Sequence, residues 1–376
     1  MSDLPFTGLR VVALEQAVSA PFCSRQLADL GADVIKIERP DGGDFARGYD
    51  SAMNGLSAYF AWLNRGKRSV ALDVKSEHGS GVCAQLIARA DVFLHNLAPG
   101  AVERLGLGYE ELAAQHPRLV WCSISGYGPD GPYRDKKAYD LLIQAESGVV
   151  SLTGTPESPA KVGISIADIA SGMYAYSSIQ AALYGRERSG RGQRIDISMF
   201  ECLTEWMMPP MSVWIGTGRI PPRAGQRHNM IAPYGAFHCS DGSVFLGIQN
   251  EREWVRFCEE ILNSRDLAER FPANAARLEN RAELDAIIEA AFAKLTRAEV
   301  LALLDRAGIA NAAMNNAAEA AQHPQLAARH RWADAPSPVG PIRALIPPHN
   351  LSDAPPLMGR VPALGEHTRE VLEELG

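Results

Sequence analysis

Cysteine is sparse in this chain and never paired for metal. Six thiols, Cys23, Cys83, Cys122, Cys202, Cys239 and Cys258, are scattered over 376 residues with no CxxC spacing. That argues against structural zinc and a disulfide scaffold, and for reduced thiols in a cytoplasmic protein. The nine histidines form no HxxxH or HExxH pattern, so no metal is expected. No apolar run reaches the ~18 residues of a membrane-spanning helix, so no membrane partner is expected. The opening MSDLPFTGLRVVAL lacks a basic region ahead of a long apolar stretch, and no secretory signal is expected. Positive charge is short as well. The formal net charge of −7 leaves no basic surplus for a phosphate backbone, so nucleic acid is not expected as a partner. Also missing are a GxSxG elbow and a GxxxxGK[ST] loop, which sets aside the hydrolase and P-loop templates.

What is present is an ordinary globular composition, 46% hydrophobic and 22% charged, long enough for about two or three domains. Strand and helix patterns alternate over the first 125 residues. Leu9–Leu14 reads as a buried strand, Pro21–Leu30 as a helix ended by Gly31, and Asp33–Glu38 as a second strand. Ser76 caps a helix running to Ala90, followed by strands at Asp91–Leu97 and Leu119–Ser125. This alternation predicts a parallel sheet with helices on its faces and ligands beyond the carboxyl ends of the strands. The segment after the first strand, EQAVSAP, lacks the glycines of a dinucleotide-binding turn.

Farther on, helices are predicted over Asp168–Leu183 and Glu201–Trp214, with the strand GQRIDISM between them and a Pro- and Gly-rich linker at Ile215–Gly225. A strand follows at Ser243–Gln249. Thr296 and Glu299 have capping-box spacing, and Ala307–Ala328 reads as helix and loop. Basic residues recur where ligands are expected: Arg39, Lys67, Arg68, Lys75, Arg104 and Lys137. As a set they fit phosphate binding. Asp41 and Asp44 in PDGGD read as a solvated turn, and Asp140 and Glu146 as solvated loop or helix positions.

Six segments carry a resemblance: LRVVALEQAVSAPFCSRQLADLGADVIKIERPDGGDFAR, NRGKRSVALDVKS, HNLAPGAVERLGLGYEEL, ISGYGPDGPY, SGRGQRIDISMFE and LGEHTREVLEELG. They resemble class III CoA-transferases, the formyl-CoA and carnitine CoA-transferase group, whose fold is shared with alpha-methylacyl-CoA racemases. The resemblance implies an α/β fold with a large doubly wound parallel-sheet domain, a smaller inserted α+β domain, and an interlocked homodimer. The corresponding expectation is 1–215 for the first part of the CoA-binding domain, 216–331 for the small domain, and 332–376 for the return segment.

It also implies coenzyme A as co-substrate, with acyl-CoA and carboxylate partners, no metal, and a catalytic aspartate in a G-D-x-x-S-G-M segment. Here that segment is ISIADIASGM and the residue is Asp168. By local pattern alone Asp168 is a helix cap. The CoA contacts carry over to Val18, Arg39, Leu72, Lys75, Asn96, Leu97, Arg104, Lys137 and Tyr139. Backbone N–H groups near Ala17–Ala20, or at the start of the Asp168 helix, are candidates for holding oxyanions. The family often closes over its nucleophile with a glycine-rich loop. The nearest segment here is AGQRHNMIAPYGAF, in which Arg227 or His228 can meet a distal carboxylate. Racemases need His where this chain has Tyr139, and tyrosine is a poor proton abstractor at its ordinary pKa. Transfer is therefore expected ahead of racemisation or silent CoA binding. Val18 stands where formyl-CoA transferase has Gln, and HNLAPG resembles enzymes of small dicarboxylic acyl-CoAs. Succinyl-CoA with a C4–C5 acid such as mesaconate or itaconate is the expected pair.

Overall fold

In a computed structural model, residues 4–376 are described. The chain forms two compact units. One contains residues up to Val149, Val162–Pro209 and Gln325–Gly376. The other contains Val150–Lys161 and Pro210–Pro324.

The large unit is built on β1 (Arg10–Leu14), α1 (Ser19–Asp29), β2 (Asp33–Glu38), α2 (Ala58–Asn64), β3 (Lys67–Ala71), α3 (Glu77–Ala88), β4 (Val92–His95), α4 (Ala101–Arg104), α5 (Tyr109–Gln115) and β5 (Val120–Ser125). It continues through α6 (Asp140–Glu146), the single turn α7 (Val149–Leu152, which runs into the other unit), α8 (Ile166–Ser189), β6 (Arg194–Ser198) and α9 (Met199–Trp206). The six strands pair in parallel in the order β3-β2-β1-β4-β5-β6. Strand alternation sends Val11, Val92 and Leu94 into the core under α1 and α8, and Val12 and Phe93 into the core on the opposite face. The order reverses between β1 and β4, which makes the carboxyl end of β1 the topological switch point.

β3 is a strand that the sequence patterns did not predict, because its run KRSVA opens with two cations. Both are satisfied by long-range partners described below. As the sheet edge, β3 is covered by the closing segment: Ala71 N–H donates to Thr368 Oγ1 at 2.9 Å and His367 N–H to the Ser69 carbonyl at 3.0 Å. The predicted single helix Glu201–Trp214 is two, α9 and α10 (Met208–Thr217). Pro209 and Pro210 lack N–H groups and sit in the first turn of α10, where none is needed.

In the smaller unit, β7 (Tyr234–Cys239), β8 (Gly242–Gly247) and β9 (Ala310–Ala313) form an antiparallel sheet over a core that includes Phe237, Trp254, Phe257 and Phe292. Thr296 and Glu299 form the predicted capping box. The stretch 307–328 is not only helix and loop, because β9 lies within it and pairs with β8. No helix among the described residues is long and apolar enough to cross a membrane.

Candidate active site

The turn after β1, at the switch point, is tied by side chains from outside it. Asn96, just past β4, accepts the Gln16 N–H at 2.9 Å and donates to the Gln16 carbonyl at 2.8 Å and to Ser19 Oγ at 3.0 Å. Asp44 Oδ1 accepts the Ala17 N–H at 2.9 Å, and Ala17 sits in the left-handed region at φ 62°. Such backbone persists only where its surroundings over-determine it. Asp44 is buried and pairs with Lys36 at 2.7 Å, so it is not the solvated turn residue the sequence suggests. Lys67 is also buried. Its ammonium donates to Glu15 at 2.6 Å, Asn64 Oδ1 at 2.9 Å and the Pro21 carbonyl at 3.1 Å, which uses all three of its hydrogens. Lys67 therefore leaves the phosphate-binding set. Arg68 leaves it too, bridging Asp33, Glu370 and Glu374. Glu15 and Asp44 balance Lys36 and Lys67, and this buried quartet underpins the loop.

Asp168 lies in the first turn of α8. It is not the cap. Ser165 is the N-cap and makes no side-chain cap bond, while Asp140 reaches across from α6. Asp140 Oδ1 accepts the Ala167 N–H at 2.8 Å and the Asp168 N–H at 3.4 Å, so Asp140 is structural rather than merely solvated. Glu146 is engaged as well, accepting from Lys136 at 2.7 Å and Tyr127 at 3.1 Å. Burial, and then the nearby Asp140 carboxylate, push the Asp168 carboxyl up to about 7. Four residues on, Gly172 packs so closely on α1 that a Cβ there would lie 2.6 Å from the Ser19 carbonyl oxygen. Asp168, one turn earlier on the same face, stands at the level of the β1–α1 turn. Tyr49 is close enough for its ionisation to be opposed by the charges of Asp44 and Asp168, beyond the dominant effect of burial.

A small crevice opens beyond β1, β2 and β4, lined by Gln16, Arg39, Gly43, Leu72, Val74 and Leu97 among others. It brings together Arg39, Leu72 and Leu97 of the predicted CoA contacts. Arg39 is exposed, donates to the Gly43 carbonyl at 3.2 Å and lies over the Phe45 ring. Val18 is buried at the head of α1, and Asn96 spends its amide on the loop. Lys75, Arg104 and Lys137 are exposed and do not line this crevice. Tyr139, at the N-cap of α6, is 73% exposed. Of the oxyanion donors considered from the sequence, the Ala17 and Ala167 N–H groups are already taken by Asp44 and Asp140.

In the smaller unit, Arg227 donates to Asp285 and Glu289, each at 3.0 Å, and lies over the Phe237 ring. Its charge is committed within that unit. His228 stacks on Tyr234 and accepts the Met230 N–H at 3.1 Å through Nδ1. Because Nδ1 accepts, the His228 proton sits on Nε2, and the side chain is exposed.

Residues 6–368 match the model of CoA-transferase family III. The chain is 38% identical over 330 residues to an acetyl-CoA:oxalate CoA-transferase of Acetobacter aceti, covering 87% of this chain and 85% of that protein. It is 35% identical over 383 residues to a succinate–glutarate CoA-transferase of Agrobacterium fabrum, covering 99% of this chain and 96% of that one. The solved CaiB/BaiF family protein of Brucella suis superposes with a TM-score of 0.88 at 36% identity over 100% of both chains. The parallel sheet, the tied β1–α1 turn and the half-buried carboxylate of α8 thus stand in a chain that belongs to CoA-transferase family III and is an enzyme of that type.

Proposed function

We propose that this enzyme moves CoA from succinyl-CoA to a small dicarboxylic acid with Asp168 as the nucleophile. The supporting observation is Asp168 itself, a carboxylate half-sheltered beside the switch-point turn and raised in pKa. Such a group attacks carbonyls better than a fully solvated one. Asp168 adds to the thioester carbonyl and CoA thiolate leaves, giving a mixed anhydride. The thiolate then attacks the aspartyl carbonyl, forming an aspartyl-CoA thioester and releasing the donor acid. The acceptor carboxylate attacks that thioester, expelling thiolate and forming a second anhydride. The thiolate attacks the acceptor carbonyl, and Asp168 returns as carboxylate. Thioester is exchanged for thioester, so no external energy source enters. The first-turn N–H groups of α1, at Ser19 and Ala20, are the donors suited to the oxyanion.

Arg39, Leu72 and Leu97 hold CoA in the crevice, with Lys75, Arg104, Lys137 and Tyr139 as outer contacts and Val18 facing the thioester. The large unit serves as the CoA-binding domain. The relatives named for oxalate and glutarate both act on dicarboxylic acids, which supports that acceptor class. Mesaconate and itaconate are the acids to try first. Exposed Trp214, Ile215 and Ile220 support a homodimer that covers them, and the buried reduced thiols support a cytoplasmic setting. Asp168→Ala abolishes transfer and keeps CoA binding. With acyl-CoA present, hydroxylamine adds mass at Asp168. Retained turnover, or no mass shift at that residue, removes Asp168 from the chemistry.

A further inference from the structure

Helix α6 grips the segment that carries Asp168 through two side chains one turn apart. Gln144, fully buried, accepts the Val162 N–H through Oε1 at 2.9 Å and donates through Nε2 to the Ile164 carbonyl at 3.4 Å. The same Nε2 donates to Asp140 Oδ2 at 2.7 Å. Asp140 Oδ1 then takes the Ala167 and Asp168 N–H groups. Ile143, between the two, is buried in the core and anchors the helix. No side-chain cap comes from Ser165, so α8 begins where α6 holds it. We propose that Asp140 and Gln144 are positioning residues, fixing residues 162–168 and hence the place from which Asp168 attacks; this rests on Asp168 being the nucleophile.

The chemistry of the cap points the same way. A neutral Asn or Ser caps a helix about as well as Asp. A charged cap has a further effect, because it disfavours the free Asp168 carboxylate against its uncharged acylated forms, the direction in which attack runs. Tyr49, after the short turn Phe45–Gly48, also lies near Asp168, and Tyr139 at the head of α6 lies near Tyr49.

The test uses the full enzyme with succinyl-CoA and glutarate as probes and four variants: Asp168→Ala, Asp140→Ala, Asp140→Asn and Gln144→Met. Misplacement of the nucleophile lowers kcat roughly 10- to 100-fold in Asp140→Ala and Gln144→Met, with KM for succinyl-CoA within about twofold. Asp140→Asn keeps the acceptor for the Ala167 N–H, loses less kcat, and moves the acid limb of the kcat profile to lower pH. Wild-type kcat in Asp140→Ala and Gln144→Met overturns the proposal. Should those two fail to fold, an unmoved acid limb in Asp140→Asn overturns it alone. Turnover in Asp168→Ala is a separate outcome: it removes the nucleophile itself, whatever the α6 variants do.

Discussion

Burial and Asp140 raise Asp168 from an ordinary 3.8 to about 7, which has two measurable consequences at the scale of the residue. The attacking form is the carboxylate, so kcat/KM falls as pH drops below about 7, and a flat profile down to pH 5 contradicts the assignment. The second concerns stability. Between the unfolded and folded pKa values the folded chain holds the extra proton, so this group's contribution becomes less favourable as pH rises through that window. Asp168→Asn therefore melts above wild type at pH 8, and the gap closes as pH falls from about 7 towards 4. Equal melting curves at pH 8 contradict this. Lys67 makes the complementary case. Lys67→Met leaves the buried quartet with Lys36 alone against Glu15 and Asp44, one negative charge in excess, and destabilises by about 3–5 kcal/mol in denaturant titration, as expected when one partner of a buried ionic cluster is removed. Lys75→Ala, at an exposed position, raises KM for acyl-CoA and leaves the melting temperature unchanged.

At the scale of elements, α1 and α8 meet at Gly172. Gly172→Ala places a methyl against the Ser19 carbonyl and the Phe22 ring and forces the helices apart. The expected loss is about 1–3 kcal/mol in urea unfolding, with reduced transfer because Asp168 rides on the displaced turn. An unchanged midpoint means that the contact relaxes freely. Strands β1, β2, β4 and β5 were legible because buried parallel strands are near-continuous apolar runs. β3 was not, since its Lys67 and Arg68 look like surface charge until their partners are known. Paired prolines mark the break between α9 and α10, but Trp and Met continue on both sides of it, and that apolar continuity predicts a single helix.

For the whole molecule, exposed Trp206, Trp214, Ile215 and Ile220 predict association. Light scattering after size exclusion is expected to give about twice the 40.7 kDa of one chain, and an interlocked pair does not fall apart on dilution. A monomer peak at nanomolar protein contradicts interlocking.

By itself the sequence determined the alternating α/β pattern, the Ser76 cap, the Thr296–Glu299 capping box and the absence of a dinucleotide turn, and through its resemblance to a known family the segment that carries Asp168. These are written in residues a few positions apart, and apolar period and cap chemistry act over one or two turns. The tertiary structure alone decided what the polar residues do. Lys67 turned inward to Glu15 across 52 positions, Asn96 tied the β1–α1 turn across 80, and Asp140 capped α8 from 27 away. A charge beyond a strand reads the same whether it meets solvent, phosphate or a buried carboxylate, and only folding brings the partner that distinguishes them.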